Sequence, residues 1–499
     1  MYIKIKWLLL ATIFFLLSIL TVFKFRSIVY GFVSNTLTIL ENLKPTKNLN
    51  LTNKLYIEIS DDNYKKINNY KSKAIKRRNI GPKQKKKVKC LVTYNNEQVG
   101  AKLRLKGDNI DHILNDKTSF RFYLKNNINS HTIFSIQNPS VRSYCYEWII
   151  KKAFCELNIL TTTYDFTEVY INSKYKGIYA IEDEITNNIL NKYQRPYGPI
   201  LKFDEKIAWE EESRFSNLQL RKFLLNETGN VRVTKIKNFK EIDYYQKDSL
   251  NEIAIDKLNK FRNGENVLEE YFDMKLWATY FSIAEIFGAN HGVRWHNVRF
   301  YYNPNSGKIE PIAYDHSYVA SQSILKEAYQ DNDTQFSNEL YLRLFFNNEN
   351  FIQLYLEQLH LLIDSNFLQK IYDENQVEYS FYQNIFELED KYIDEKLLLD
   401  KRLVYLSEVY SPLKPIYAYK KDDSIYFANS YFLPIEIISY QSGNVSIEID
   451  SIKFNSKSQK EKLIFKRILN NFDKKDKLTV LYKIYGSKEI HSSKIENYY

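Results

Sequence analysis

Cysteine, glycine, proline and methionine are all scarce in this chain of 499 residues. Three cysteines, Cys90, Cys145 and Cys155, make no disulfide framework, and their spacing fits no zinc-ligand pattern. Cys145 and Cys155 fall in a helix-like stretch and read as small core residues. Only 13 glycines, 10 prolines and 2 methionines stand beside abundant Tyr, Phe, Asn, Lys and Ile, which points to an AT-rich coding sequence more than to a mechanism. Several catalytic signatures are missing: there is no G-x-S-x-G elbow, no P-loop and no H-E-x-x-H helix. The aromatic residues supply no cofactor box and read as core.

What is present begins with charge. The formal net charge is +11, and it is uneven: residues 71–89 hold ten Lys or Arg and no acid. This run reads as a solvated surface loop. An anionic polymer, anionic lipid or acidic protein substrate is the partner class that such a loop would meet. Nucleic acid is not expected, because no aromatic residues interleave with the charges and no nucleic-acid motif accompanies them.

Trp7 to Phe23 carries no charged residue, with Lys4 and Lys6 before it and Lys24 and Arg26 after it. That length is at the short end for a bilayer span. No small-x-small cleavage site follows, so an uncleaved anchor is favoured over a cleaved signal. Residues 1–30 are expected to be a transmembrane anchor and 31–50 a stalk and linker. The remaining chain has no comparable run and is expected outside the cytoplasm as one water-soluble body.

Within that body, Leu55–Ile59, Val88–Tyr94, Val99–Leu105 and Phe120–Leu124 read as strands, the middle two joined by Asn95-Asn96-Glu97. Arg142–Leu157 has helical periodicity, and Phe166–Ile171 and Gly177–Ile181 form strands across Asn172-Ser173-Lys174-Tyr175. Residues 240–287 are helical, with Asp273 capping the last helix and Gly288 ending it. Residues 337–410 are helical again. Pro412 and Pro415 mark a boundary, so the main domain is expected over 51–411 and a small β-rich domain over 412–499.

Chemistry concentrates in residues 290–315. A polar loop, Asn290–His296, leads into an apolar stretch, a turn at Asn303–Gly307, and a second apolar stretch ending on Tyr314-Asp315. Asn297 and Asp315 are placed at neighbouring strand ends, where an amide and a carboxylate bind a hard cation through oxygen. Asn and Asp also cap strands and turns for purely local reasons.

Four segments together resemble the spore-coat-protein-H (CotH) family of atypical kinases. They are Arg104-Leu105-Lys106-Gly107-Asp108 with Lys117–Arg121; Tyr146-Glu147-Trp148 with Val169–Asn172, Gly177–Tyr179 and Glu182-Asp183; Gly198–Asp204; and His291–Asp315. The resemblance covers about residues 55–320 and implies an α+β, divergent protein-kinase-like fold. It implies ATP with Mg2+ or Mn2+ as cofactors and phosphoryl transfer to Ser or Thr of a surface or coat protein.

Under that resemblance, Arg104, Lys106, Lys117 and Arg121 would bind the nucleotide, with Lys106, Lys117 and Arg121 as a cationic phosphate clamp. Glu182 or Asp183 would pair with the lysine or hold a second metal, and Lys202 would contact nucleotide. Asn297 and Asp315 match the metal positions. The plainer readings are a basic sheet edge, acids at a helix N-terminus and a snorkelling lysine. One departure matters. Active members carry an Asp shortly before the Asn, and Asn290–His296 contains no acid. His291 is the nearest substitute base. Three readings stay open: a variant kinase using His291, a nucleotide-binding pseudokinase that scaffolds a spore coat or envelope, or a transition-metal site built from His291, His296, Asp315 and His316.

Overall fold

Alternating sequence explains the first architectural unit. The computed structural model describes residues 51, 53–114, 116–128, 131–204, 233–235, 244–317, 323–329, 340–387, 395–410, 415–421, 424–429, 431–442, 445–454, 464–468 and 478–497. The strands are β1 (Lys54–Glu58), β2 (Val88–Tyr94), β3 (Glu97–Leu105), β4 (Phe120–Ile128), β5 (His131–Gln137), β6 (Leu160–Thr161), β7 (Tyr164–Ile171) and β8 (Lys174–Asp183). All but β6 close into a barrel in the order β1-β2-β3-β4-β5-β8-β7. The parallel pairing of β1 with β7, Leu55 opposite Val169, makes the closure. Two hairpins use two-residue turns with both residues left-handed: Asn95 and Asn96 (φ 48° and 69°), and Asn172 and Ser173 (φ 48° and 63°). Such turns match the right-handed twist of the strands they join.

Every second residue faces the barrel interior, including Leu55, Ile57, Val92, Leu103, Leu105, Phe122, Phe134 and Ile181. Each of these large apolar side chains stabilises the fold by about 1.5–3 kcal/mol on burial. The basic run corrects the sequence expectation in part. Residues 71–77 belong to helix α1 (Asp61–Arg77), not to a loop. Its buried residues are only Ile67 and Ala74, one heptad apart, so the apolar stripe is too thin to stand out among the lysines. Strands β5 and β6 were also unmarked in the sequence. The anchor and stalk expected over residues 1–50 lie outside the described residues. Among the described residues no helix is long and apolar enough to cross a membrane.

The remaining helices are α2 (Asp111–Leu114), α3 (Cys145–Glu156), α4 (Asn187–Lys192), α5 (Tyr244–Arg262), α6 (Leu268–Tyr271), α7 (Met274–Phe287), α8 (Ile324–Tyr329), α9 (Leu340–Phe346), α10 (Glu349–Asp364), α11 (Phe367–Glu374), α12 (Gln376–Phe386) and α13 (Glu395–Tyr410). A second sheet runs β10-β9-β11-β12-β6, with β9 at Ile200–Phe203, β10 at Val233–Lys235, β11 at Arg299–Asn303 and β12 at Lys308–Ala313. Helix α7 lies at the centre of this half. Asp273 caps it by accepting from the Leu276 amide at 3.0 Å, and Gly288 ends it in the left-handed conformation (φ 62°). Its Trp277 and Phe281 pack among Phe272, Phe300 and Phe345.

The C-terminal strands β13 (Ile416–Lys421) to β20 (Glu496–Asn497) form two four-stranded sheets. Ile416, Phe427, Ile437 and Val480 from the two sheets share one core.

One buried ion pair ties α7 to α13. Arg402 Nη2 donates to Glu285 Oε1 at 2.8 Å, and both side chains are buried. The other oxygen, Oε2, accepts from the Ile324 amide at 2.6 Å and the Tyr355 hydroxyl at 3.1 Å. Burial pushes the Glu285 carboxyl up to about 7, against the pull of Arg402. A carboxyl raised in the folded state supports stability fully below its unfolded pKa and loses that contribution as pH rises towards 7. Replacing Arg402 with Met is therefore expected to cost about 3–5 kcal/mol in urea unfolding above neutral pH. The loss should shrink on acidification to pH 5, where Glu285 takes up a proton.

Candidate functional site

The Lys106-Gly107 step begins the site. Lys106 follows β3 on the side opposite Leu103 and Leu105, so it leaves the barrel interior. Gly107 then turns the chain at φ +87°, and a Cβ there would lie 2.0 Å from the His112 ring. Any side chain at Gly107 would displace α2. Lys106 Nζ donates to Gln137 Oε1 at 2.8 Å and Glu182 Oε2 at 3.0 Å, and all three residues are buried.

Strand period separates the two acids that the sequence left as alternatives. On β8, Tyr179 and Ile181 face the barrel core, so Glu182 turns outward. Asp183 falls on the other side, with its Oδ1 2.5 Å from His131 Nδ1 and its Oδ2 accepting from Thr163. Glu182 is the partner of Lys106. It also receives Lys151 of α3 at 2.6 Å. Lys151 in turn donates to Thr162 at 2.8 Å and lies 3.6 Å from Glu147, one helical turn earlier. Burial alone would raise the Glu182 carboxyl, but Lys151, Lys106 and Arg142 bring it down to about 2. Glu147 has the opposite balance: burial pushes it up to about 7 against Lys151 and Arg142, and neither of its oxygens has a hydrogen bond.

Asp315 follows β12, its backbone left-handed at φ 61°. Such a conformation in a non-glycine residue persists where its surroundings fix it. Arg142, at the end of a short 3-10 turn (Pro139–Arg142), brings Nη2 within 2.7 Å of Asp315 Oδ1. His291 Nε2 lies 3.5 Å from the same oxygen. Although close to Arg142 and His291, Oδ1 has no partner of hydrogen-bond geometry. Burial opposes ionisation, yet the Arg142 guanidinium above all holds the Asp315 carboxyl well below the usual range. Burial also lowers His291, against Asp315, so the imidazole is neutral at neutral pH. The His291 side chain keeps 35% of its surface exposed.

Asn297 joins this group through the loop. Its Nδ2 donates to the His291 carbonyl at 2.8 Å, which leaves the amide oxygen as an acceptor. Asp315 Oδ1 and the Asn297 amide oxygen are hard-cation ligands by type. Arg121 on β4 pairs with Glu184 at 2.5 Å, and Ser135 donates to the same carboxylate oxygen at 2.7 Å. Arg104 lies half-buried on the outer face of β3, its Nε donating to the Tyr123 hydroxyl at 3.0 Å.

The remaining candidates are Lys117 and Lys202. The Lys117 side chain lies against Gly177, five residues before Glu182 on β8. Lys202 is on β9, opposite Thr234 of β10. The zinc grouping does not form: among the described residues no three His, Cys, Asp or Glu side chains are placed to hold a metal ion. His316 turns inward between Phe154 and Tyr280, at ring separations of 4.6 and 5.5 Å, and its ring occupies the space beside Gly292.

Sequence reading missed Arg142 and Lys151 as parts of the centre. The signal available was a Glu147/Lys151 pair at helical spacing inside an otherwise apolar segment, which implies paired buried charge.

The Glu182→Gln variant tests the centre. It leaves two buried ammonium groups without their carboxylate, with an expected cost of about 3–5 kcal/mol. A carboxyl depressed in the folded state contributes stability above its unfolded pKa and loses it as pH falls towards 2. Urea unfolding at pH values from 5 to 2 should therefore show a shallower acid slope in the variant than in the native chain.

No curated protein matches the chain. A family model described as CotH kinase protein matches residues 107–382, which include Arg142, Lys151, Glu182, His291, Asn297 and Asp315. The match extends over more than half of the 499 residues, and the chain belongs to the CotH kinase protein family.

Proposed function

We propose that this chain is an ATP- and Mg2+- (or Mn2+-) dependent kinase that phosphorylates Ser or Thr of a surface or coat protein. One observation carries the reading: a buried Lys–Glu ion pair, Lys106–Glu182, shares one charge cluster with an Asp that follows a β-hairpin, Asp315. Protein kinases need both elements, a Lys–Glu pair for the phosphates and a hairpin Asp for the metal. Here the Glu comes from a strand, β8, and not from a helix.

The residues present fit the cofactors. Asp315, whose Oδ1 is now paired with Arg142, and Asn297, whose amide oxygen accepts, are the hard oxygen ligands that would hold the cation. Magnesium, when bound, neutralises charge on the β- and γ-phosphates. Lys106 and Arg121 would supply positive charge to the triphosphate, Arg121 through a planar fork suited to phosphate. His291 takes the hydroxyl proton. With Nε2–H towards Asp315, its Nδ1 is the accepting nitrogen, and its neutral state supports that role. The substrate oxygen gains a bond to the γ-phosphorus, the bond to the β–γ bridging oxygen breaks, and ADP leaves.

A second reading rests on a specific observation. Arg142 already sits against Asp315, and the Asn290–His296 loop offers no carboxylate. A chain that binds nucleotide without transferring phosphate, as an envelope or coat scaffold, accommodates both facts.

Transfer from labelled ATP, measured on the full chain in uncharged detergent with a Ser-containing acceptor protein, separates the readings. Under the kinase reading, His291→Ala lowers the rate by about 100-fold or more, the range for a general base, and Asp315→Ala abolishes transfer. No transfer, with metal-dependent ATP binding that Asp315→Ala removes, selects the scaffold. Neither transfer nor binding rejects both.

A further inference from the structure

The outer face of β2–β3–β4 holds cations against one another. The register sets Lys89 directly opposite Lys102, and Arg104 directly opposite Arg121. Lys102 is followed across the next strand by Tyr123. Lys87 Nζ sits 3.3 Å from the Tyr123 ring centroid, and Arg104 donates to the Tyr123 hydroxyl. Like charges directly opposite on a sheet are destabilising. Arg121 is compensated by Glu184. Lys87, Lys89, Lys102 and Arg104 have no carboxylate partner among the described residues, and the three lysines are exposed. Burial would raise the Tyr123 phenol, but Arg104, Arg121 and Lys87 pull it below its ordinary value. A face that concentrates repulsion in this way is complementary to a ligand carrying several negative charges.

We propose that this face docks an acidic segment of the protein substrate. The identity of that segment as substrate rests on the kinase reading above. Adjacent strands are about 4.8 Å apart, so cations in a cross-strand row match closely spaced carboxylates better than a lone phosphate. The face is also continuous with the candidate site: Arg104 adjoins Arg121, whose partner Glu184 lies two residues after Glu182. A bound acidic segment would therefore lead its neighbouring hydroxyl towards Asp315 and His291. That continuity favours a protein segment over a lipid surface.

The test uses the full chain in uncharged detergent. The probe is a fluorescein-labelled peptide with Glu and Asp on both sides of a Ser, beside its Gln/Asn counterpart. Two variants are compared with the native chain by fluorescence anisotropy: Lys89→Glu, which places an opposite-charge pair across from Lys102, and Lys87→Gln/Lys102→Gln. The expected result is preference for the acidic peptide, a steep fall in affinity with salt, and a loss of about tenfold or more in both variants. Lys89→Glu should also melt at a higher temperature than the native chain, which excludes misfolding as the cause. Equal binding of the two peptides, or binding untouched by both variants, overturns the proposal. So does binding of phosphatidylglycerol vesicles through these lysines with no acidic-peptide binding, which would assign the face to lipid. Metal-dependent ATP binding is measured in parallel. Its absence beside the expected peptide behaviour supports the docking face and rejects the nucleotide reading.

Discussion

The buried contact of Lys106 and Lys151 with Glu182 is the constraint around which the site is built. Three charged side chains, from the residue after β3, from α3 and from β8, are removed from water there, at separations of 3.0 and 2.6 Å. Each alone would be too costly to bury; together they require one another. The requirement spreads outward. Lys106 also needs Gln137 of β5, and Lys151 also needs Thr162, just after β6. Thus the barrel, the helix and the end of the second sheet's edge strand are fixed relative to one another by charge compensation as much as by apolar packing. Glu147, drawn upward by burial to about 7, is the one carboxyl of the cluster whose charge is not settled at neutral pH. Its two unsatisfied oxygens make it the soft point of an otherwise paired network.

The strand and helix pattern was legible in the sequence where periodicity was clean. Val88–Tyr94, the hairpin at Asn95-Asn96, the Asp273 cap and the Gly288 stop all stand where residue type dictates them. Helix α1 was hidden because only Ile67 and Ala74 mark its buried side, while lysines fill the rest. Barrel closure was hidden for a different reason: the β1–β7 pairing joins residues more than a hundred positions apart, and no local signal encodes it. At the candidate site, Asn297 and Asp315 were legible as residue types at the ends of a hairpin. Their connection through the His291 carbonyl and imidazole was not, because it depends on how the loop folds back. The pairing choice between Glu182 and Asp183 was open in the sequence, although strand alternation alone divides them once the buried face of β8 is known.

The absence of an acid in the Asn290–His296 loop gains meaning from how firmly the loop is held. Asn290 Nδ2 donates to Glu327 Oε1 at 3.3 Å, and Arg294 lies 3.4 Å from Glu327 Oε2. Tyr280 donates to the Gly292 carbonyl at 3.1 Å, and Tyr341 donates to the Val293 carbonyl. Gly292 itself has no room for a side chain, since a Cβ would meet the His316 ring at 2.3 Å. The Gly292 and Val293 carbonyls and the Asn290 and Arg294 side chains are thus tied to the body of the protein, and His291 is the side chain of the loop that lies beside Asp315. A rigid support of this kind is what a reacting group needs to hold its geometry. The proposed roles, His291 as the base and Asp315 as the cation ligand, depend on this rigidity.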